Sequence, residues 1–168
     1  MSSQKSVKKD KDMAWQATPD MVVLAVDQQA QRFYAEGRLA RARELFEKLL
    51  RMRPEVSQFW AMLGVIHRRE ERLVQALQCL QQAVELDTEN RNALVNLGET
   101  LVLAGKVDEG TEVLRALFDI SRVEGKPARE QDVFTKRAGA QLAIIKEIAD
   151  AILSEKIEIR ASTSTPAT

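Results

Sequence analysis

The sequence is poor in the residues on which most metal sites and covalent cross-links depend. Its 168 residues include one cysteine and one histidine, so neither an internal disulfide nor a His/Cys zinc cluster can stabilise the fold. Lysine plus arginine, at 25, equal aspartate plus glutamate, at 25, which removes the general attraction of a basic surface for nucleic acid or anionic lipid. The packing of apolar side chains must hold this chain together.

Long apolar runs, glycine and proline are also scarce. The stretch 21–26 ends at Asp27, far short of the roughly 20 apolar residues that a membrane span requires. We therefore expect a cytoplasmic protein without membrane insertion. With 7 glycines, 4 prolines and 30% charged residues, the composition favours helices, because straight-chain side chains lose little rotamer freedom in them.

The middle of the chain repeats every 34 residues. Gly64 and Gly98 are separated by this distance, as are Leu80 and Leu114. The pattern Trp60-x-x-Leu63-Gly64-x-x-His67 followed by Ala76-x-x-x-Leu80-x-x-Ala83 resembles the tetratricopeptide repeat, in which each copy is a pair of antiparallel helices. Because one hairpin cannot bury its own apolar stripe, neighbouring copies must stack.

This pattern predicts the domain organisation. We expect three repeats within 18–124, at about 23–56, 57–90 and 91–124, followed by a linker and a capping helix over 125–157. The flanking segments 1–17 and 158–168 contain little to bury and are predicted to be disordered. The predicted fold class is all-α, a right-handed superhelical stack of three hairpins with a long C-terminal capping helix.

No catalytic constellation is apparent. His67 occupies an aromatic slot of the repeat, where a packed core histidine is expected, and Cys79 lies beside core Leu80 without a neighbouring group that would activate it. Phosphate-binding glycine loops and the H-E-x-x-H zinc motif are missing from the sequence. We expect no enzyme activity, no cofactor and no catalytic or metal-binding residues.

The first helix of each repeat is expected to line a concave groove, at fixed positions of each copy. The lining is mostly apolar, which suggests a partner peptide that buries its side chains there. Val65 and Val95 are expected to face the open groove and to touch one extended peptide. The alternative is that the C-terminal helix or another copy covers this surface. The predicted client-binding residues are Leu24, Gln31, Tyr34, Ala61, Val65, Arg68, Val95, Glu99, Val102 and Leu103.

Repeats that hold the C-terminus of large heat-shock chaperones use lysine, arginine and asparagine side chains at known positions. The matching positions in this sequence are Asp27, Gln31, Met62, Asn92 and Asn96. None of them is cationic, so a terminal carboxylate would meet no compensating charge. The sequence therefore disfavours that class of co-chaperone.

A first repeat with Phe33-Tyr34-x-x-Gly37 and a third with Asn96-Leu97-Gly98-Glu99, between a polar extension and one long helix, resembles the class II chaperones of bacterial type III secretion. The resemblance implies a chaperone that grips an extended segment of a translocator in its concave groove. It also implies a homodimer formed through the N-terminal segment. A permanent subunit of a larger assembly, using its convex face or its capping helix, is the competing interpretation.

Overall fold

The computed structural model describes residues 18–123 and 132–163, and these ranges contain helices and no strand, which confirms the all-α class. The segments 1–17, 124–131 and 164–168, where disorder or a linker was expected, lie outside the described residues. The helices are α1 (Pro19–Ala35), α2 (Leu39–Met52), α3 (Ser57–Arg69), α4 (Leu73–Leu86), α5 (Arg91–Leu103), α6 (Val107–Val123) and α7 (Val133–Thr163).

The chain divides into two compact units, of which the first ends at Glu55. In this unit α1 and α2 pack against each other as a hairpin. The hydroxyl of Thr18 accepts a hydrogen bond from the backbone N–H of Met21 at 3.3 Å, and Pro19 occupies the first turn, which is a favourable helix start. Phe46 and Leu49 of α2 are fully buried.

The second unit begins at Val56 and contains two further hairpins and α7. Its helices α3 and α5 begin at Ser57 and Arg91, the first positions that the 34-residue register assigns to the second and third copies. Small residues allow the helices of each hairpin to approach closely. A Cβ atom on Gly64 would lie 2.6 Å from Cγ of Leu80, and one on Gly98 would lie 2.6 Å from Cγ of Leu114. The same contact therefore recurs one repeat later.

The turn inside each hairpin also recurs. One residue in each turn has a positive φ: 74° at Gly37, 61° at Glu71 and 81° at Gly105. The residue that follows each of them donates a backbone hydrogen bond to a carbonyl five residues earlier, at 2.8, 2.9 and 2.9 Å. Glu71 thus has the left-handed backbone conformation that glycine has at the two corresponding positions, Gly37 and Gly105.

Helix α7 follows the third hairpin and packs against both α5 and α6. Ala138 of α7 is fully buried in a cluster with Val95, Leu114 and Leu117. The helix continues to Thr163, past the predicted boundary at 157. Within the described residues, no helix is both long enough and apolar enough to cross a membrane.

Candidate functional site

The predicted client-binding residues of the first unit lie on α1. Leu24 is 57% exposed, Gln31 is exposed and Tyr34 is half-buried. The side-chain amide of Gln31 donates to Asp27 at 2.9 Å, which fixes its orientation along the helix. Met21 and Val22 of the same helix are exposed as well, so α1 presents several large apolar side chains beside the amide of Gln31.

The central residues predicted for the second unit are buried. Ala61 is fully buried against Ala83 and Ala93, and Val65 is 7% exposed. Val95 is fully buried beneath α7. The expectation that Val65 and Val95 face an open groove is therefore wrong, because both side chains are buried and α7 covers Val95. Client contact through Val95 stays a prediction and would require α7 to move.

The remaining apolar residues predicted in this unit, Val102 and Leu103, lie at the end of α5. Leu103 is 63% exposed. Val102 lines an open cavity of about 260 Å³ whose other lining residues are apolar, namely Val107, Ile145, Ile148, Ala149 and Ile152. Residues of α5, α6 and α7 thus share this cavity, and Leu103 is exposed at the end of α5.

Arg68, Glu99 and Arg137 meet in one hydrogen-bonded group that joins α3, α5 and α7. Nη1 of Arg68 donates to Oε2 of Glu99 at 2.5 Å, and Nε of Arg137 donates to Oε1 of the same carboxylate at 2.5 Å. Nη2 of Arg137 also donates to Oε2, which makes this pair bidentate. We call this group, together with Asn92 and Asn96, the arginine cluster.

Asn96 is the amide at the centre of the arginine cluster and is 2% exposed. Its side-chain oxygen accepts from Arg68 at 2.9 Å and from Arg137 at 3.1 Å. Its amide nitrogen donates at 2.7 Å to the backbone and to the side-chain oxygen of Asn92. All of these polar atoms are satisfied, as burial requires.

Arg68 and Glu99 were predicted from the sequence to bind the client, whereas Arg137 was not. A signal for it exists. Counted from Val133, Arg137 is the fifth residue of α7, the position that Ala61 and Val95 hold in their own helices. This signal can be read only once the start of α7 is known, because α7 begins 42 residues after α5 and not 34.

In the part of the chain that the structure describes, His67 and Cys79 do not belong to a cluster of metal-ligating side chains. His67 and Cys79 are buried in the second unit. Within 18–123 and 132–163, no group of three or more His, Cys, Asp and Glu side chains could hold a metal ion. The arginine cluster is instead a group of hydrogen-bonded polar side chains on α3, α5 and α7.

The family comparison agrees with the hairpin geometry. Residues 28–87 match the family model of the tetratricopeptide repeat. This part of the chain is similar in sequence to the tetratricopeptide repeat. No curated protein sequence matches it.

Solved structures with this fold cover most of the chain. The Yersinia enterocolitica type III secretion chaperone SycD in complex with a peptide of the translocator YopD is 18% identical, with a TM-score of 0.66, covering 76% of this chain and 95% of that one. PcrH in complex with the chaperone-binding region of PopD is also 18% identical, with a TM-score of 0.67, and the match covers 82% and 99% of the two chains.

A further similar structure is the first tetratricopeptide domain of Spaghetti (RPAP3) bound to an HSP90 peptide. It is 13% identical, with a TM-score of 0.64, covering 76% of this chain and 93% of that one. At such identities these three likenesses concern the fold alone.

Helix α7 takes the place of the first helix of a further repeat. It contacts α6 and α5, just as α5 contacts α4 and α3. The junctions at the helix starts correspond as well. Asn90, which precedes α5, donates to the hydroxyl of Ser57 at 2.7 Å, and Asp132, which precedes α7, accepts from Arg91 at 2.7 Å. In both junctions the residue before a helix pairs with the first residue of the preceding first helix, with donor and acceptor exchanged.

Asp132 caps α7 through hydrogen bonds from the backbone N–H groups of Phe134 and Thr135, at 2.9 and 3.1 Å. Burial alone would raise its pKa. Hydrogen bonds from Thr135, Arg91 and Phe134 outweigh that effect and lower the pKa of Asp132 from 3.8 to about 2. The carboxylate therefore stays ionised while α7 is docked.

Proposed function

We propose that this protein is a non-catalytic chaperone or adaptor in the cytoplasm that holds an extended, partly apolar segment of a client protein along its first helices. The observation that carries the proposal is the exposed surface at the end of α5. Leu103 is 63% exposed and lies one turn beyond Glu99 of the arginine cluster, on the same side of the helix. Apolar and polar recognition are thus adjacent on one first helix.

The comparisons support a peptide as the ligand. SycD with a peptide of YopD, PcrH with a region of PopD and the RPAP3 domain with an HSP90 peptide share this fold. By likeness to SycD and PcrH, we propose a translocator of type III secretion as the client. The homodimer through the N-terminal segment belongs to the same proposal.

Burial divides the proposed client-binding residues into two groups. The accessible or partly accessible group comprises Leu24, Gln31, Tyr34, Arg68, Val102 and Leu103. Ala61, Val65, Val95 and Glu99 are buried and could reach a client only if neighbouring helices moved. We propose that the first group makes the initial contact, because a peptide can reach it without rearrangement of the core.

The test is selection from a phage-displayed library of random twelve-residue peptides on the full chain, followed by titration of the selected peptides. Leu103→Asp should weaken binding at least tenfold, because an apolar peptide side chain would then meet a carboxylate that loses its hydration. Val74→Asp is the matched control, since Val74 is 66% exposed but lies on a second helix, α4.

Equal binding by wild type and Leu103→Asp, or a loss confined to Val74→Asp, would contradict the proposed surface. The latter result would favour the permanent-subunit interpretation, in which the opposite side of the hairpins is used. Circular dichroism of both variants checks that folding is retained.

A further inference from the structure

The arginine cluster carries an uncompensated positive charge. Arg68 and Arg137 both pair with the single carboxylate of Glu99, so two cations face one anion and one net positive charge remains. No other acidic side chain forms an ion pair with either arginine in the part of the chain that the structure describes. Arg68 and Glu99 are largely buried and Arg137 is partly exposed, so this excess charge favours a further anion at Arg137.

The arginine cluster also has more hydrogen-bond donors than acceptors. Both oxygens of Glu99 and the side-chain oxygen of Asn96 are already acceptors. Arg137 donates through Nε and Nη2, and within the described residues nothing accepts a hydrogen bond from its Nη1. The cluster can therefore take a further acceptor but has no free acceptor to offer a donor.

The accessible part of the cluster is its cation. The side chain of Arg137 is 38% exposed, whereas that of Glu99 is 9% exposed. An approaching molecule meets the guanidinium group before the carboxylate beneath it. A backbone carbonyl would satisfy the Nη1 donors but would leave the net charge, whereas a carboxylate satisfies both requirements.

We propose that the arginine cluster binds the side-chain carboxylate of an aspartate or glutamate in the client segment, with Nη1 of Arg137 as the donor. This inference rests on the proposed function, because it assigns one residue of the same client. Leu103 follows Glu99 by one turn, so the client's acidic residue lies close to an apolar one. The predicted recognition element is an acidic side chain flanked by apolar side chains.

The experiment starts from the peptides selected on the wild-type chain. Among them, one position should be enriched in Asp and Glu over the library frequency. Synthetic peptides with Glu, Gln or Lys at that position are then titrated. The Glu peptide should bind about tenfold more tightly than the Gln peptide, a typical value for one charge-assisted hydrogen bond, and its advantage should shrink in high salt.

Variants of α7 assign the preference to Arg137. Arg137→Gln should bind the Glu and Gln peptides equally while retaining the fold, because Glu99 keeps its pair with Arg68. Lys146→Gln removes an exposed positive charge from the same helix and should retain the tenfold preference. If Arg137→Gln melts at a lower temperature, Arg137→Lys provides the second test, with an intermediate preference expected because one charge remains without the bidentate geometry.

The outcomes separate this inference from the proposed function. If no peptide is enriched on the wild-type chain, the proposed function fails and the inference fails with it. If peptides bind and Leu103→Asp releases them, but Glu and Gln peptides bind alike or Arg137→Gln keeps the preference, only the inference is wrong.

Discussion

Replacement of Gly110 by alanine tests the close approach of α5 and α6. Alanine favours an isolated helix by about 1 kcal/mol over glycine, so propensity alone predicts stabilisation. The structure predicts the opposite. A Cβ atom on Gly110 would lie 2.6 Å from the backbone oxygen of Gly98 and 2.7 Å from Cγ2 of Val102.

Relief of this overlap requires the backbones of α5 and α6 to separate by roughly 0.7 Å, since carbon and carbonyl oxygen normally approach to about 3.3 Å. Such overpacking costs roughly 1–3 kcal/mol, and the gap opened elsewhere forfeits dispersion contacts. After subtraction of the propensity gain, we expect Gly110→Ala to lose up to about 2 kcal/mol, a fall in Tm of up to about 8 °C.

Denaturant and thermal unfolding measure this change. Ala76 occupies the corresponding position one repeat earlier and is fully buried with its methyl group accommodated, so Ala76→Gly should also destabilise the protein. A higher Tm for Gly110→Ala than for wild type would refute the close-approach argument. Opposite effects of the two substitutions would show that propensity, and not packing, dominates at these positions.

Three further predictions concern the core, a turn and the start of α7. Leu114→Ala should cost about 2–5 kcal/mol in the free energy of unfolding, because a fully buried side chain leaves a cavity; a loss below about 1 kcal/mol would contradict the packing described. Glu71→Gly should stabilise the protein by about 0.5–1 kcal/mol, because relief of the left-handed backbone exceeds the added entropy of the unfolded chain, and a lower Tm would oppose this. Since the folded pKa of Asp132 is about 2 and the ordinary value is 3.8, its contribution is present above about pH 4 and is lost as the pH falls towards 2, so Asp132→Asn should show a smaller decrease in Tm between pH 5 and pH 2.5 than wild type. Equal decreases would remove Asp132 from the acid response.

The repeat register predicted most of the hairpin structure because its signals are local. Glycines at Gly64 and Gly98 mark close contacts in the structure, and the start of α5 at Arg91 follows from counting 34 residues. The burial of Val95 did not follow from the register, because it depends on α7, which returns from beyond a linker that breaks the period. Arg137 was missed for the same reason, although its position in α7 repeats that of Val95.

The position at which α7 ends was also not predicted from the sequence. Low apolar content suggested a disordered tail from 158, but the helix reaches Thr163. Composition measures what a segment can bury, whereas a helix already started can continue through residues that simply favour it, since each added residue extends an existing hydrogen-bond ladder.

The central claim is that a peptide binds along the first helices of the hairpins. The most direct measurement is a titration of the ¹⁵N-labelled chain with the tightest peptide selected from the library, followed by amide chemical shifts. The account predicts the largest shift changes on α1, α3 and α5 and at Arg137 of α7, with small changes on α2, α4 and α6. Large changes confined to α2, α4 and α6 would contradict it and place the binding surface on the second helices.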